Sequence, residues 1–143
     1  MSCCLHCEIG DLHTRFGRAL DRGEVDDWVE LFAPDARYDN GRTVLHGHDE
    51  LRAWITRRVA SGQVRTTRHV WSGLQLEPID DRTLTSESIW VCYAANRPSP
   101  VDEVSIWSVA DFTDTIVRVE GRWRIATRTI RTVFRDPAVA PRI

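Results

Sequence analysis

The chain has 143 residues, 42% hydrophobic and 28% charged, a balance that suits one packed domain and excludes a disordered chain. Its 19 basic and 21 acidic residues are well mixed and leave a net charge of −2, which argues against a nucleic-acid-binding surface. No apolar run approaches the roughly 20 residues of a membrane span, and the N-terminus lacks a signal-peptide layout, so a soluble, cytoplasmic protein is expected. Every basic residue is Arg, which excludes Schiff-base chemistry at a Lys and a Walker-type phosphate Lys.

The chain reads as a flexible segment (1–7), a single domain (8–135) and a C-terminal tail (136–143). Ile9, Leu12, Phe16, Ala19 and Leu20 recur at helical spacing and predict a helix over 8–21, closed by Gly23. His13 falls on its polar side. A second helix is expected at 25–33, with Trp28, Leu31 and Phe32 inward and Pro34 as its stop. Short strands at 36–40 and 43–46 precede a third helix at 48–61, whose Asp49, Glu50, Arg57 and Arg58 are placed as the helix dipole favours. Four segments rich in Val, Ile, Thr and Trp follow at 65–78, 82–95, 103–120 and 122–134, separated by turn signals, the last a tight hairpin at Glu120–Gly121. Strands this long usually bend through bulges, which disturbs in/out parity.

Cys3, Cys4 and Cys7 cluster with His6, but a zinc site normally needs a second ligand pair, and none exists; a reduced terminus is expected, with Cys92 as a buried thiol. His46 and His48 flank Gly47 as a solvated turn without a third ligand. No metal and no organic cofactor are expected.

Helix, helix, strand and helix followed by long strands, with Ala19-Leu20-Asp21-Arg22-Gly23, Asp27-Trp28, Leu31-Phe32-Ala33-Pro34-Asp35-Ala36, Thr67-Arg68-His69 and Gly121-Arg122-Trp123-Arg124-Ile125, resemble the SnoaL-like branch of the nuclear transport factor 2-like superfamily. The resemblance covers about residues 8–135. It implies an α+β fold, with three N-terminal helices packed in a strongly curved antiparallel sheet shaped as a cone around an apolar pocket.

Within that superfamily, Asp21 and His69 match the acid–base pair of proteins similar to scytalone dehydratase and bile-acid dehydratase, which implies catalytic roles for both. Removing water from a β-hydroxy carbonyl needs a base for the α-proton and an acid for the leaving hydroxyl. A His can do both in turn while a carboxylate holds its tautomer. The resemblance also has departures: two tyrosines of the dehydratase pattern fall at Leu20 and Asn40, and a second pocket His falls near Tyr93. Tyr38, Asn40, Trp71, Tyr93, Ala110 and Phe112 are the candidate substrate-binding residues, with Asp114 a reserve carboxylate. Trp90 and Trp107 are candidates for a subunit interface.

These readings imply a cofactor-independent lyase or isomerase acting on a small, apolar, enolisable molecule such as a polyketide or steroid-like intermediate. The alternative is a non-catalytic binding or assembly protein like the β subunit of ring-hydroxylating dioxygenases. A small hydrophobic or aromatic ligand is expected, with no nucleic-acid or membrane partner. Apolar residues of both parities on the long strands further predict a homodimer, with a trimer as the other closed form.

Overall fold

A computed structural model describes residues 4–142. Helix α1 spans Leu5–Arg22, and the predicted stripe of Ile9, Leu12, Phe16, Ala19 and Leu20 is buried along it. Residues 5–7, expected in the flexible segment, form its first turn, because the Cys4 thiol caps it by accepting the Cys7 N–H. Cys3 lies outside the described residues. Gly23, in the left-handed region, closes α1 and returns its N–H to Ala19 and Leu20.

Helix α2 (Val25–Glu30) is shorter than predicted, and strand β1 (Phe32–Asp39) begins where that helix was expected to continue. The final strand explains this. Ile125 donates to the Leu31 carbonyl at 2.8 Å and Phe32 pairs with Ile125, so sheet pairing outcompetes another helical turn. Pro34 sits where the register shifts between Phe32 and Arg37, a break that tolerates its missing N–H. Strand β2 (Val44–His46), helix α3 (Gly47–Ala60) and strands β3 (Thr66–Pro78), β4 (Thr83–Ala95), β5 (Ile106–Val119) and β6 (Arg122–Arg135) follow near the expected bounds, and a 3₁₀ turn occupies Pro137–Val139.

The six strands form one sheet in the order β2-β1-β6-β5-β4-β3. The sheet is mixed rather than fully antiparallel as expected, because β1 runs parallel to β6. Helices α1 and α3 pack on one face, α1 against β3 and α3 against β1. The cross-strand register lines up residues facing these helices: His69 opposite Cys92; Trp71, Trp90 and Ala110; Ser88, Phe112 and Ile130; and Ser86, Asp114, Arg128 and Tyr38. The other face carries Val70, Val91, Val109 and Phe134 opposite one another across four strands; Val70 and Phe134 are exposed.

Helix α1 approaches β3 through glycine. A side chain at Gly10 would meet the Trp71 ring at 3.2 Å, and one at Gly17 would meet both Cβ and the carbonyl oxygen of His69 at 3.2 Å. Next to that contact, the Phe16 ring lies 5.5–6.3 Å from the rings of Trp28, Phe32, Tyr38, Trp90 and Phe112. This aromatic cluster is the centre of the core.

Candidate functional site

Asp21 occupies the last turn of α1 and His69 the start of β3. Both lie almost entirely out of solvent, with side chains 7% and 14% exposed. His69 Nδ1 is 2.6 Å from Asp21 Oδ1. Asp21 also accepts from Thr67 Oγ1 at 2.9 Å and, through Oδ2, from the backbone N–H of His69 at 3.1 Å. Three donors from one strand therefore fix the carboxylate. Because it can only accept, the Nδ1 proton lies on the imidazole, and Nε2 is the ring nitrogen left for other chemistry.

Electrostatics at His69 are a contest. Burial pulls its pKa down. The hydrogen bonds to Asp21 and to Cys92, with the electrostatic interaction of each, outweigh that and raise it to about 9. Cys92, buried as expected, is the residue directly across the ladder from His69.

The other sequence candidates divide by face. Tyr38, Ala110 and Phe112 point inward and are buried. Burial pushes the Tyr38 phenol up to about 12 against the opposing charges of Arg128 and Arg58, so it is a neutral donor at ordinary pH. Trp71 shares this face, but its ring packs on Gly10 and against His13, and its Nε1 donates to Thr14 Oγ1 at 3.1 Å. Two candidates lie elsewhere. Tyr93 pairs with Arg68 on the opposite face and is 37% exposed, because strand alternation gives the inward position to Cys92. Asn40 lies at the β1–β2 turn, where its side-chain oxygen accepts the N–H groups of Arg42 and Thr43. Trp90, a candidate for an outer interface, instead faces inward and stacks on Phe112 with ring centres 4.6 Å apart.

His13, expected on the polar side of α1, is fully buried, and with Asp114 it belongs to a polar cluster the sequence did not reveal. Arg128 holds Asp114 with two bonds of 2.8 Å, from Nε and Nη2. Ser86 Oγ donates to the same carboxylate at 3.1 Å. Arg128 Nη2 also faces His13 Nδ1 at 3.3 Å, and Ser88 Oγ lies 3.3 Å from His13 Nε2. A guanidinium only donates, so Nδ1 is the acceptor and the His13 proton sits on Nε2. Burial, helped by the Arg128 charge, lowers the His13 pKa to about 2, so this His is neutral and makes no ion pair with Asp114 at neutral pH.

Among the described residues, no group of three or more His, Cys, Asp or Glu side chains is arranged to hold a metal ion, and no helix is long and apolar enough to cross a membrane. A groove of about 750 Å³ opens between α1, α2 and the β5–β6 turn. It is lined by charged groups such as Arg15, Arg22, Asp27 and Arg124, and neither Asp21 nor His69 borders it.

Residues 4–129 match the family model described as the SnoaL-like domain. The chain belongs to that family. Its fold is shared with ActVI-ORFA from Streptomyces coelicolor (TM-score 0.79, 15% identity, 90% of this chain and 97% of that one). It is also shared with Aln2 from a Streptomyces species (TM-score 0.78, 22% identity, 92% and 93%). A protein from Catenulispora acidiphila solved in complex with S-DNPA is similar too (TM-score 0.75, 21% identity, 90% and 92%). A comparison with curated proteins finds no match. At these identities the solved structures carry the SnoaL-like α+β fold and nothing finer.

Proposed function

We propose that the protein is a cofactor-independent lyase or isomerase of the dehydratase type, acting on a small, apolar, enolisable ketone with His69 as the proton-transfer group and Asp21 as its partner. The observation that supports this reading is the 2.6 Å contact between Asp21 and His69 Nδ1, with the carboxylate held by Thr67 and the His69 backbone. That arrangement fixes the tautomer and leaves Nε2 to act. In the forward direction neutral Nε2 takes the α-proton, electrons move into the carbonyl, and an enolate forms. The resulting imidazolium then gives its proton to the β-hydroxyl, which leaves as water while the enolate electrons form the carbon–carbon double bond. His69 ends as it began, and side chains supply all the chemistry.

The binding residues in this reading are Tyr38, Ala110 and Phe112, with the inward Trp90 as a further wall. The complex of the Catenulispora protein with S-DNPA supports a small ligand in a protein of this fold.

The test needs no knowledge of the natural substrate. Exchange of α-hydrogens for deuterium in 2-tetralone, followed by NMR, reports enolisation directly. Wild type should accelerate exchange over buffer, and His69→Ala should lose about 10²–10⁴-fold of that rate. Equal exchange by the two proteins would leave a binding or assembly role in its place.

A further inference from the structure

Arg128 is fully buried, yet its guanidinium is only partly used. Nε and Nη2 serve Asp114 and His13, while Nη1 has no hydrogen-bond partner. Trp28 Nε1 is in the same condition, and among the described residues these are the two buried side-chain polar atoms without a partner. Leaving a donor of a buried cation unsatisfied is costlier than leaving a neutral one. Such an atom in a native core calls for an explanation.

The surroundings of Arg128 indicate what would satisfy it. Its guanidinium carbon lies 4.4 Å from the ring centre of Phe16, 4.9 Å from that of Phe112 and 5.6 Å from that of Trp90. Phe16 adjoins Gly17, which lies against His69, and a side chain at Gly17 would also meet the Trp90 ring at 3.4 Å. Phe16 and Trp90 therefore lie between the Gly17–His69 contact and the guanidinium. Asp114 balances the Arg128 charge and His13 is neutral, so the free N–H adds a donor without surplus charge. That suits an oxygen that is neutral in the ground state and gains charge during reaction.

We propose that Arg128 Nη1 donates to the carbonyl oxygen of a flat, conjugated ketone and stabilises the enolate oxygen formed when His69 removes the α-proton. This rests on the acid–base reading above and assigns its missing oxygen-binding residue.

The test compares 2-tetralone with tetralin, the same bicycle without the oxygen, by calorimetry on the full chain. A wild-type preference of about tenfold or more for the ketone is expected, as for a hydrogen bond to a charged group. The infrared carbonyl stretch of bound 2-tetralone should lie below its value in water. Arg128→Lys keeps a cation for Asp114 but has one nitrogen in place of three, without the planar fork that serves the carboxylate and the ketone together. It should lose most of the preference and the frequency shift while binding tetralin as wild type does. His69→Ala should keep both. Equal or absent binding of the two compounds by wild type overturns the proposal. So does an unshifted carbonyl in the wild-type complex, a measurement that needs no variant to fold. A preference and shift retained in Arg128→Lys overturn it as well, since another group then holds the carbonyl oxygen. Ketone preference without deuterium exchange would keep the Arg128 assignment and remove the acid–base reading; exchange without preference would do the reverse.

Discussion

The backbone of Gly17 in α1 lies so close to His69 that a methyl group there would sit 3.2 Å from both Cβ and the carbonyl oxygen of the histidine. That carbonyl belongs to β3, whose pairing with β4 leaves it little freedom to move. Gly17→Ala gains about 1 kcal/mol in helix propensity and meets an overpacking cost of about 1–3 kcal/mol. A modest net loss in thermal stability is expected, with a larger loss in deuterium exchange because the imidazole shifts from Asp21. Unchanged exchange would show that the helix–strand spacing does not hold the pair.

The raised pKa of His69, to about 9, fixes the sign of two pH effects. Its folded value exceeds the ordinary 6.5, so its contribution to stability is complete below 6.5 and is lost as pH rises through about 9. Enolisation uses the neutral ring, so kcat/KM should climb close to tenfold per pH unit up to about 9 and then level. In Asp21→Asn an amide must face the His69 backbone N–H, and the partner charge is gone. NMR titration of the ring should move from about 9 toward or below 6.5 in that variant. A wild-type midpoint near 6.5 would refute the contact as a working pair.

His13 acts at the other end of the scale. Its pKa is lowered to about 2, below the unfolded value, so its contribution is complete above 6.5 and is lost as pH falls from there toward about 2. The stability gap between wild type and His13→Gln should change by about 1.4 kcal/mol per pH unit below about pH 6, read from urea midpoints. A constant gap would mean that His13 is charged inside the core.

The homodimer expected from the sequence remains a proposal, and the row of Val70, Val91, Val109 and Phe134 gives it a place. Phe134 is 68% exposed. Phe134→Asp should reduce the mass found by light scattering to that of one chain while leaving the fold intact. A wild type of about 16 kDa at micromolar concentration would remove the proposal.

The order of elements was legible because the apolar stripe of α1, the turn signals and the long β-branched runs each have a local cause. Asp21 and His69 were legible through resemblance alone, since neither spacing nor composition joins residues 48 apart. Tyr93 was misplaced for a local reason: Cys92, a small apolar residue, takes the inward position beside it. Arg128 and His13 were hidden for a tertiary reason. Counting from the Val119–Arg122 pair puts Thr127 opposite Asp114; only the bulge between Thr115 and Ile116 moves Arg128 there. A polar residue at a core position of a helix likewise reads as solvated until its partners on other strands are known.

That bulge gives the hairpin a way to check its own alignment. Without it Thr127 would face the Asp114 carboxylate, and Arg128 would turn to the opposite side of the sheet. A buried carboxylate without its cation costs several kcal/mol, so the slipped hairpin is penalised at this point as well as by turning Ile130 away from the helices. The Asp114–Arg128 bond therefore selects one pairing of β5 with β6, and because β1 pairs with β6 through Tyr38 and Arg128, that choice also sets where Tyr38 lies.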